Sequence, residues 1–197
     1  MEITTKRFLL REFTEEDGPA LLAYQSDPRY AQFCAPEEVG VDHARALPRQ
    51  FREWAAERPR RNYQLAISAI RHPQDLMGCC GLRCDGYGPD QAEMGIELAP
   101  LYWGRYAYAI EIASALIDFG FTTLGLSEVR GISVSANSRV TRLAQRYGFV
   151  PVGGRAGSEW MRARGWHHTE WQLTRERWEV FRSSTMRSNR RRSSGTS

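Results

Sequence analysis

The sequence predicts an α+β protein with one sheet and helices on both faces. Three segments with strand-like alternation follow one another at 62–70, 75–85 and 91–100, which indicates a meander. Segments with helical spacing lie before and after this meander, and the chain shows no internal repeat. Together these observations favour one mixed domain.

Ahead of the meander, the chain predicts a strand followed by helices. Residues 3–12 alternate and then become apolar, as strands do. Thr14 is a suitable N-cap with acidic residues in the turn after it, so a helix is expected to start there. This helix should stop near Asp27 and Pro28, because proline cannot continue it.

A second helical region is expected over 41–61. Asp42 is its expected N-cap, and Pro48 can break it because proline has no N–H to donate. Within the meander, the first two strands are separated by a turn at 71–74.

After the meander, residues 101–122 predict a glycine turn that leads into a helix with apolar residues at helical spacing. A shorter amphipathic helix is expected to begin at Asn137 and to end at Gly148, a glycine suited to the position after a helix. The remaining elements are expected at 127–135 (strand), within 165–174 (strand) and at 175–181 (helix).

The composition is ordinary for a soluble globular protein, with 197 residues, 42% hydrophobic and 25% charged. No apolar run approaches the roughly 20 residues of a membrane span, and the N-terminus lacks the apolar core of a secretory signal. The four cysteines show no metal-ligand spacing, and Cys79 and Cys80 should point to opposite faces of a strand, away from each other. We therefore expect reduced thiols, a cytoplasmic location, no metal and no membrane partner.

The positive charge is concentrated at the C-terminus. The net charge is +4, and segment 182–197 holds five arginines and no acidic residue. Without those five, the 27 basic residues fall to 22, against 23 acidic ones. We expect residues 1–181 to form the domain and 182–197 to be a disordered Ser/Arg tail. Such a tail is either solvated and free of partners or a contact for nucleic acid or acidic partners.

The stretch 101–116, LYWGRYAYAIEIASAL, places a glycine-arginine turn before a helix. The first N–H groups of a helix lack internal partners and its dipole is positive there, so anions bind at this end. Gly104 lets the backbone approach an anion, and Arg105 adds a full charge. Alone, the turn is better explained as a structural connection. A second helix, opened by Asn137 directly after a strand, changes that balance.

Together these motifs resemble the GNAT superfamily of N-acetyltransferases. The order AEMGIELAPLYWG, a long helix, SVSANSRV and RYGFVPVG is similar to its Rim-type branch, which acetylates ribosomal-protein N-termini. The opening TKRFLLREFTEEDGPALLAYQSDP and the ending LTRERW extend the resemblance from about Thr4 to Trp178. The resemblance implies a mixed, mostly antiparallel sheet that splays open in its middle and holds acetyl-CoA in the cleft.

The resemblance places the pyrophosphate of acetyl-CoA on the loop that here reads WGRYAYA. The branch pattern is Trp-Gly-x-Gly-Tyr-Ala, so the match requires one inserted residue, best taken as Tyr106. Ala107 then replaces the second glycine, and we expect a reshaped loop because alanine disfavours positive φ. The implied cofactor-binding residues are Trp103, Gly104, Arg105, Ala107, Tyr108, Ala109 and Asn137, with Ile96 and Leu98 contributing backbone groups exposed by a bulge in the preceding strand.

The implied chemistry is direct attack of an amine on the thioester, which needs a general base and a stabilised oxyanion. Glu93 resembles the position from which some relatives supply the base, although it could equally bind substrate or face solvent. Glu97 lies two strand repeats further on the same face and is the second choice.

The usual donors of a proton to the leaving thiolate are replaced by Val140 and Ala144, so water or another residue must supply it. Tyr147 is close in sequence but at a different helical phase. His167 and His168 lie near the acceptor site of relatives, and strand alternation allows only one to face the cleft. His168 is the additional candidate base.

Three functions remain open at this point. The first is acetyl transfer to an amine, either a protein N-terminus or a small molecule. The second is binding of acyl-CoA or a partner without turnover, suggested by the missing acid and the altered loop. The third, association with nucleic acid, rests only on the tail. The sequence does not identify the acceptor or the acyl-chain preference. It also leaves the oligomeric state open, with a homodimer as one possibility.

Overall fold

The computed structural model describes residues 1–183, apart from the side chains at positions 36, 37 and 106. The strands are β1 (Glu2–Thr4), β2 (Phe8–Arg11), β3 (Asn62–Ala69), β4 (Gly78–Arg83), β5 (Gln91–Leu98), β6 (Glu128–Val134), β7 (Val150–Ala156) and β8 (His167–Thr174). The helices are α1 (Gly18–Gln25), α2 (Pro28–Ala31), α3 (Val41–Ala56), α4 (Tyr106–Thr122), α5 (Ser138–Arg146), α6 (Glu159–Arg162) and α7 (175–183). The strands form one eight-stranded sheet in the order β1-β2-β3-β4-β5-β6-β8-β7.

Neighbouring strands are antiparallel except for β5 and β6. These two pair in parallel at three positions, the last of which is Glu93↔Arg130. Strand β5 then stays with β4 as far as Leu98, while β6 stays with β8 as far as Val134. The sheet is therefore mostly antiparallel and splays open between β5 and β6, as the resemblance implied.

Apolar residues cover both faces of the sheet. One core lies toward α4 and includes Leu65, Cys80 and Ile112. The other lies toward α1 and α3 and includes Ala66 and Cys79. The adjacent cysteines thus point to opposite faces, and all four cysteines are free, as strand alternation predicted.

The predicted first strand, 3–12, is two short strands joined by a tight turn. Thr5 closes this turn: its hydroxyl accepts from the Phe8 N–H at 2.9 Å, and its own N–H donates to the Phe8 carbonyl at 2.9 Å. The helix expected at Thr14 begins there as a 3-10 turn, in which the Thr14 N–H donates to the Asp17 carboxylate at 2.8 Å. Helix α1 follows and ends near the predicted stop.

Helix α3 corrects two predictions. Gly40 occupies the N-cap position, so Asp42 lies in the first turn, where its charge complements the helix dipole. The helix also continues through Pro48, which is buried and packs near Gly18 of α1. Burial of the proline ring against α1 offsets the hydrogen bond that proline cannot donate.

Strand β7 and helix α6 have no counterpart among the predicted elements. Strand β7 lies at the edge of the sheet and contains residues that disfavour strands, with a register shift between Pro151 and Gly153. Helix α5 matches its prediction. The Asn137 side chain accepts from the Val140 N–H at 3.3 Å, and Gly148 follows the helix at φ +78°.

Among residues 1–183, no helix is both long and apolar enough to cross a membrane. Of the predicted basic tail, 182–197, the first two residues end α7, and 184–197 lie outside the described residues.

Glu111 ties helix α4 to the N-terminal hairpin. Its carboxylate accepts from the Thr5 hydroxyl, the Arg7 backbone N–H and the Arg7 Nε, each at 2.7 Å. Arg7 also donates to the Ala107 carbonyl at 2.9 Å. This network holds the first turns of α4 against the sheet.

We expect Glu111→Ala to lower the free energy of unfolding at pH 7 by about 1–2 kcal/mol, because three donors lose a charged acceptor. Burial raises the pKa of Glu111, but hydrogen bonds from Thr5 and Arg7 outweigh burial and lower the pKa overall. Such a carboxyl stabilises the fold above its unfolded-state pKa, and the effect is lost as pH falls through its folded-state value.

Urea unfolding of the wild type and the variant at pH 7 and pH 3 measures this dependence. The difference between the two proteins should shrink at pH 3. Glu179→Ala, at an exposed position of α7, is the control and should change little at either pH. An equal loss at both pH values would contradict the assigned hydrogen bonds.

Candidate functional site

Two adjoining cavities open where β5 and β6 separate. The loop cavity, about 600 Å³, lies against the loop 102–105 and α5. The strand cavity, about 260 Å³, lies between the diverging strands. The residues that line both are Ile96, Glu97, Val140 and Leu143. A groove of about 860 Å³ between β1, α4 and α7 contains none of the predicted site residues.

Most of the predicted cofactor-binding residues line the loop cavity: Ile96, Leu98, Trp103, Gly104, Arg105, Ala109 and Asn137. The other two, Ala107 and Tyr108, face the N-terminal hairpin. The Ala107 carbonyl accepts from Arg7, and the Tyr108 ring packs against Phe8 with centroids 4.9 Å apart. The Tyr108 hydroxyl accepts from Arg105 at 3.2 Å, so Tyr108 supports a lining residue.

The loop before α4 depends on Gly104. Its φ is +82°, a conformation that other residues rarely adopt. A Cβ there would meet no atom within 4 Å, so this backbone lies open. Helix α4 begins at Tyr106, and Ala107 therefore has a helical backbone that needs no glycine. The extra residue of the loop is absorbed into the start of the helix.

Three arginines line the loop cavity: Arg105, Arg139 and Arg142. The Arg139 guanidinium lies 4.7 Å from the centroid of the Trp103 ring. Together with the N-terminal end of α4, these charges form a wall suited to anions. Of these three, the sequence predicted only Arg105. The signal for the other two is their place in the first two turns of the helix that Asn137 opens.

The backbone of β5 faces the gap beyond its last pair with β6. The Trp103 indole N–H donates to the Leu98 carbonyl at 2.7 Å, so the backbone groups of Leu98 point toward the gap. Because this direction alternates along a strand, those of Ile96 point the same way. Pairing with β4 is uninterrupted over 93–98, so the expected bulge is not present there. The divergence of β6 exposes these groups instead.

Glu93 lines the strand cavity, and both of its carboxylate oxygens are engaged. One accepts from Arg83 at 2.5 Å and the other from the Tyr87 hydroxyl at 2.7 Å. Burial and the hydrogen bond to Glu93 raise the pKa of Tyr87 to about 12, so Tyr87 stays a donor. To act as a base, the Glu93 carboxylate would first have to release Arg83.

Among the described residues, Glu97 is the carboxylate that lines both cavities. Its Oε2 accepts from the Tyr24 hydroxyl at 3.1 Å and lies 3.6 Å from the Cys79 Sγ. Burial, followed by the charge of Glu97, raises the pKa of Tyr30 and of Cys34, the latter to about 11. Within residues 1–183, no cationic side chain forms an ion pair with Glu97.

His168 lies on β8 opposite Val134 of β6 and lines neither cavity. Its Nδ1 is buried and has no hydrogen-bond partner among the described residues. The structure thus brings Glu93 and Glu97 to the gap and leaves His168 outside it.

The positions of the usual proton donors face the gap but carry no donor. Val140 lines both cavities, and Ala144 lines the strand cavity. The nearby hydroxyl of Tyr147 donates to the Ile110 carbonyl of α4.

The sequence matches the family described as Acetyltransferase (GNAT) domain over residues 7–150. The chain belongs to the GNAT acetyltransferase family. It is 27% identical over 152 residues to the "Uncharacterized N-acetyltransferase YoaA" of Bacillus subtilis. The aligned segment covers 77% of this chain and 84% of that protein. It is 25% identical over 150 residues to the "Uncharacterized N-acetyltransferase p20" of Bacillus licheniformis, covering 76% and 82%.

Solved structures share the fold of this GNAT chain. A GNAT-family acetyltransferase from Bacillus anthracis has a TM-score of 0.72 at 22% identity, covering 89% of this chain and 99% of that one. A spermidine N-acetyltransferase from Vibrio cholerae, in complex with CoA and spermine, has a TM-score of 0.71 at 17% identity, covering 87% and 97%. At these identities the likeness concerns the fold.

We expect iodoacetamide to modify Cys34 before Cys79, Cys80 and Cys84, because Cys34 is half-buried and the other three are buried. The thiolate is the reactive form, so with a pKa of about 11 the rate should keep rising by about tenfold per pH unit from pH 7.5 to 9.5. Peptide mass mapping after timed quenching measures the modification rate of each cysteine, and Cys34→Ser is the control. A rate that levels off near pH 9 would contradict the environment assigned to Cys34.

Proposed function

We propose that this chain is an acetyl-CoA-dependent N-acetyltransferase that acts on an amine, either a protein N-terminus or a small molecule. The observation that carries the proposal is the gap between β5 and β6. It has an anion-binding wall at one end, exposed strand backbone in the middle and the carboxylate of Glu97 beyond. The CoA complex of a spermidine N-acetyltransferase with the same fold supports the cofactor.

The loop cavity would hold acetyl-CoA, which supplies the acetyl thioester. Gly104, Arg105 and Arg139 would hold its pyrophosphate, because open backbone, positive charge and a helix N-terminus converge there. The carbonyl of Ile96, which points into the gap, would accept from an amide of its pantetheine arm, as it would from a neighbouring strand.

Glu97 is the general base in this proposal, and Glu93 is second, the reverse of the order taken from the family resemblance. Glu97 lies where the cavities meet, and its partners are a hydroxyl and a thiol. As the amine nitrogen bonds to the acetyl carbon, Glu97 takes the amine proton, directly or through water, and the carbon–sulfur bond breaks. Glu93 would have to give up its ion pair with Arg83.

The negative charge that develops on the carbonyl oxygen needs donors that are already in place. The N–H groups of Ile96 and Leu98 point toward the gap and serve this purpose. The leaving thiolate takes its proton from water, since positions 140 and 144 carry no donor and the Tyr147 hydroxyl is bonded to Ile110.

Binding of acyl-CoA without turnover is a second candidate function, favoured by the loss of both usual proton donors. Retained CoA binding with no acetylated product across a broad amine panel would select it. Contact between nucleic acid and the tail 182–197 stays a prediction, which salt-sensitive RNA binding lost on removal of the tail would support.

We expect Gly104→Glu to weaken acetyl-CoA binding by about a hundredfold or more, because a carboxylate would stand against the pyrophosphate and like charges cost several kcal/mol. Calorimetric titration measures the dissociation constant. Gly86→Glu is the matched control: Gly86 has the same φ of +82° and equally open surroundings, and it lines neither cavity. Equal affinity of both variants would remove the loop from the cofactor site.

We expect Glu97→Gln to lower kcat by about 10²–10⁴, the usual contribution of a general base, and to leave acetyl-CoA affinity nearly unchanged. Glu93→Gln should lower kcat by less than about tenfold. Steady-state rates with calorimetric affinities separate the two effects. A larger loss in Glu93→Gln would return the base to Glu93.

A further inference from the structure

Among the side chains that the structure describes, one carboxylate that lines the acceptor side of the gap has no cationic partner. By this side we mean the sheet face toward α1 and α3. Ala92 of β5 lies in the core on the α4 face, and because side chains alternate along a strand, Glu93 and Glu97 point to the other face. Glu93 is paired with Arg83, whereas Glu97 has only neutral donors. The described residues that line this side therefore carry the net charge of a single carboxylate.

Further along the same face, the carboxylates are also paired. The pairs are Glu128 with Arg130 and Glu170 with Arg155. On the exposed rim, Glu38 accepts from the backbone N–H of Ala35 at 2.9 Å. Among the described residues, an acceptor with several ammonium groups would thus find one carboxylate without a cationic partner in the cavities, arginines beside those further along the sheet face, and Glu38 at the rim.

Aromatic rings close the acceptor side. Tyr30 and Phe33, after α1, line the loop cavity together with Cys34. The Phe33 ring packs against Trp166, with centroids 5.8 Å apart and planes tilted by 36°. Phe33 belongs to the N-terminal half of the chain, while Trp166 directly precedes β8 at the splayed end of the sheet. This contact bridges the two halves beside the gap.

Resting on the proposed function, we propose that the acceptor is a small primary amine with one positive charge and an aromatic substituent. Its amino group lies at Glu97, and its substituent packs against Phe33, whose ring is supported by Trp166. A polyamine is disfavoured because its additional ammonium groups would lose water without gaining carboxylates. A peptide that begins with alanine is disfavoured because it brings no ring to pack against Phe33.

The test compares kcat/KM for 2-phenylethylamine, spermidine and a peptide with N-terminal alanine, at saturating acetyl-CoA, with products identified by mass spectrometry. We expect 2-phenylethylamine to exceed each of the others by at least about tenfold, the value of one well-placed aromatic contact. Methylamine, which has an amino group and no ring, reports on the Glu97 end alone.

Phe33→Ala and Trp166→Ala should each lower kcat/KM for 2-phenylethylamine by about tenfold and that for methylamine by less than about threefold. Trp54→Ala is the matched control. Trp54 packs on Phe51 in nearly the same geometry, 5.6 Å and 35°, but neither ring of that pair lines a cavity, whereas Phe33 lines the loop cavity. Thermal unfolding of each variant shows that it is folded.

Arg83→Met is an independent variant, because it releases Glu93 and adds a second uncompensated carboxylate. It should raise the ratio of spermidine to 2-phenylethylamine kcat/KM by about tenfold.

Preference for spermidine or for the peptide would overturn the acceptor class while leaving acetyl transfer in place. Equal losses in Phe33→Ala and Trp54→Ala would overturn the aromatic subsite. Acetyl-CoA binding with no acetylation of any amine would overturn the proposed function, and this proposal with it.

Discussion

Strands β5 and β6 separate after three parallel pairs, and the rest of the site depends on that separation. Beyond Glu93, the backbone groups of β5 that point away from β4 have no strand beside them. Buried backbone groups need hydrogen-bond partners, so the gap is a place for a ligand that can pair as a strand does. The Trp103 indole satisfies the Leu98 carbonyl and marks where the gap meets the loop. A bulge is unnecessary, because divergence of the neighbouring strand exposes the same groups.

The gap also separates two kinds of charge. Arginines gather at the loop and at the start of α5, where a polyanionic ligand fits. On the opposite side, arginines neutralise the carboxylates of the sheet face, except at Glu97. The partners of Glu97 are Tyr24 and Cys79, groups that solvate a carboxylate without cancelling its charge. A carboxylate in this setting is open to an approaching amine, whereas an ion-paired one would first have to release its arginine.

Helix α4 must be held firmly if its N-terminal end is to bind an anion. The network of Thr5, Arg7 and Glu111 does so, and Arg7 reaches the Ala107 carbonyl within the first turn. The residues that the family resemblance assigns to the cofactor therefore fall into two groups, those that support the loop and those that form its surface. Ala107 and Tyr108 face this network and support the loop, while Gly104 forms the open surface.

The sequence by itself determined the local features. Strand alternation set the opposite directions of Cys79 and Cys80, and cap and glycine signals placed Asn137 and Gly104, because these depend on neighbouring residues along the chain. Local signals failed at Pro48, where tertiary burial overrides helix breaking, and at β7, whose residues disfavour a strand until β8 offers it an edge.

Only the tertiary structure decided which carboxylate is free. Arg83 reaches Glu93 from the next strand, and Tyr24 reaches Glu97 from a helix 73 residues away. The contact of Phe33 with a ring near the far end of the chain arises in the same way. Pairings of this kind follow from sheet register and helix packing, which bring together side chains whose separation along the chain gives no sign of their contact.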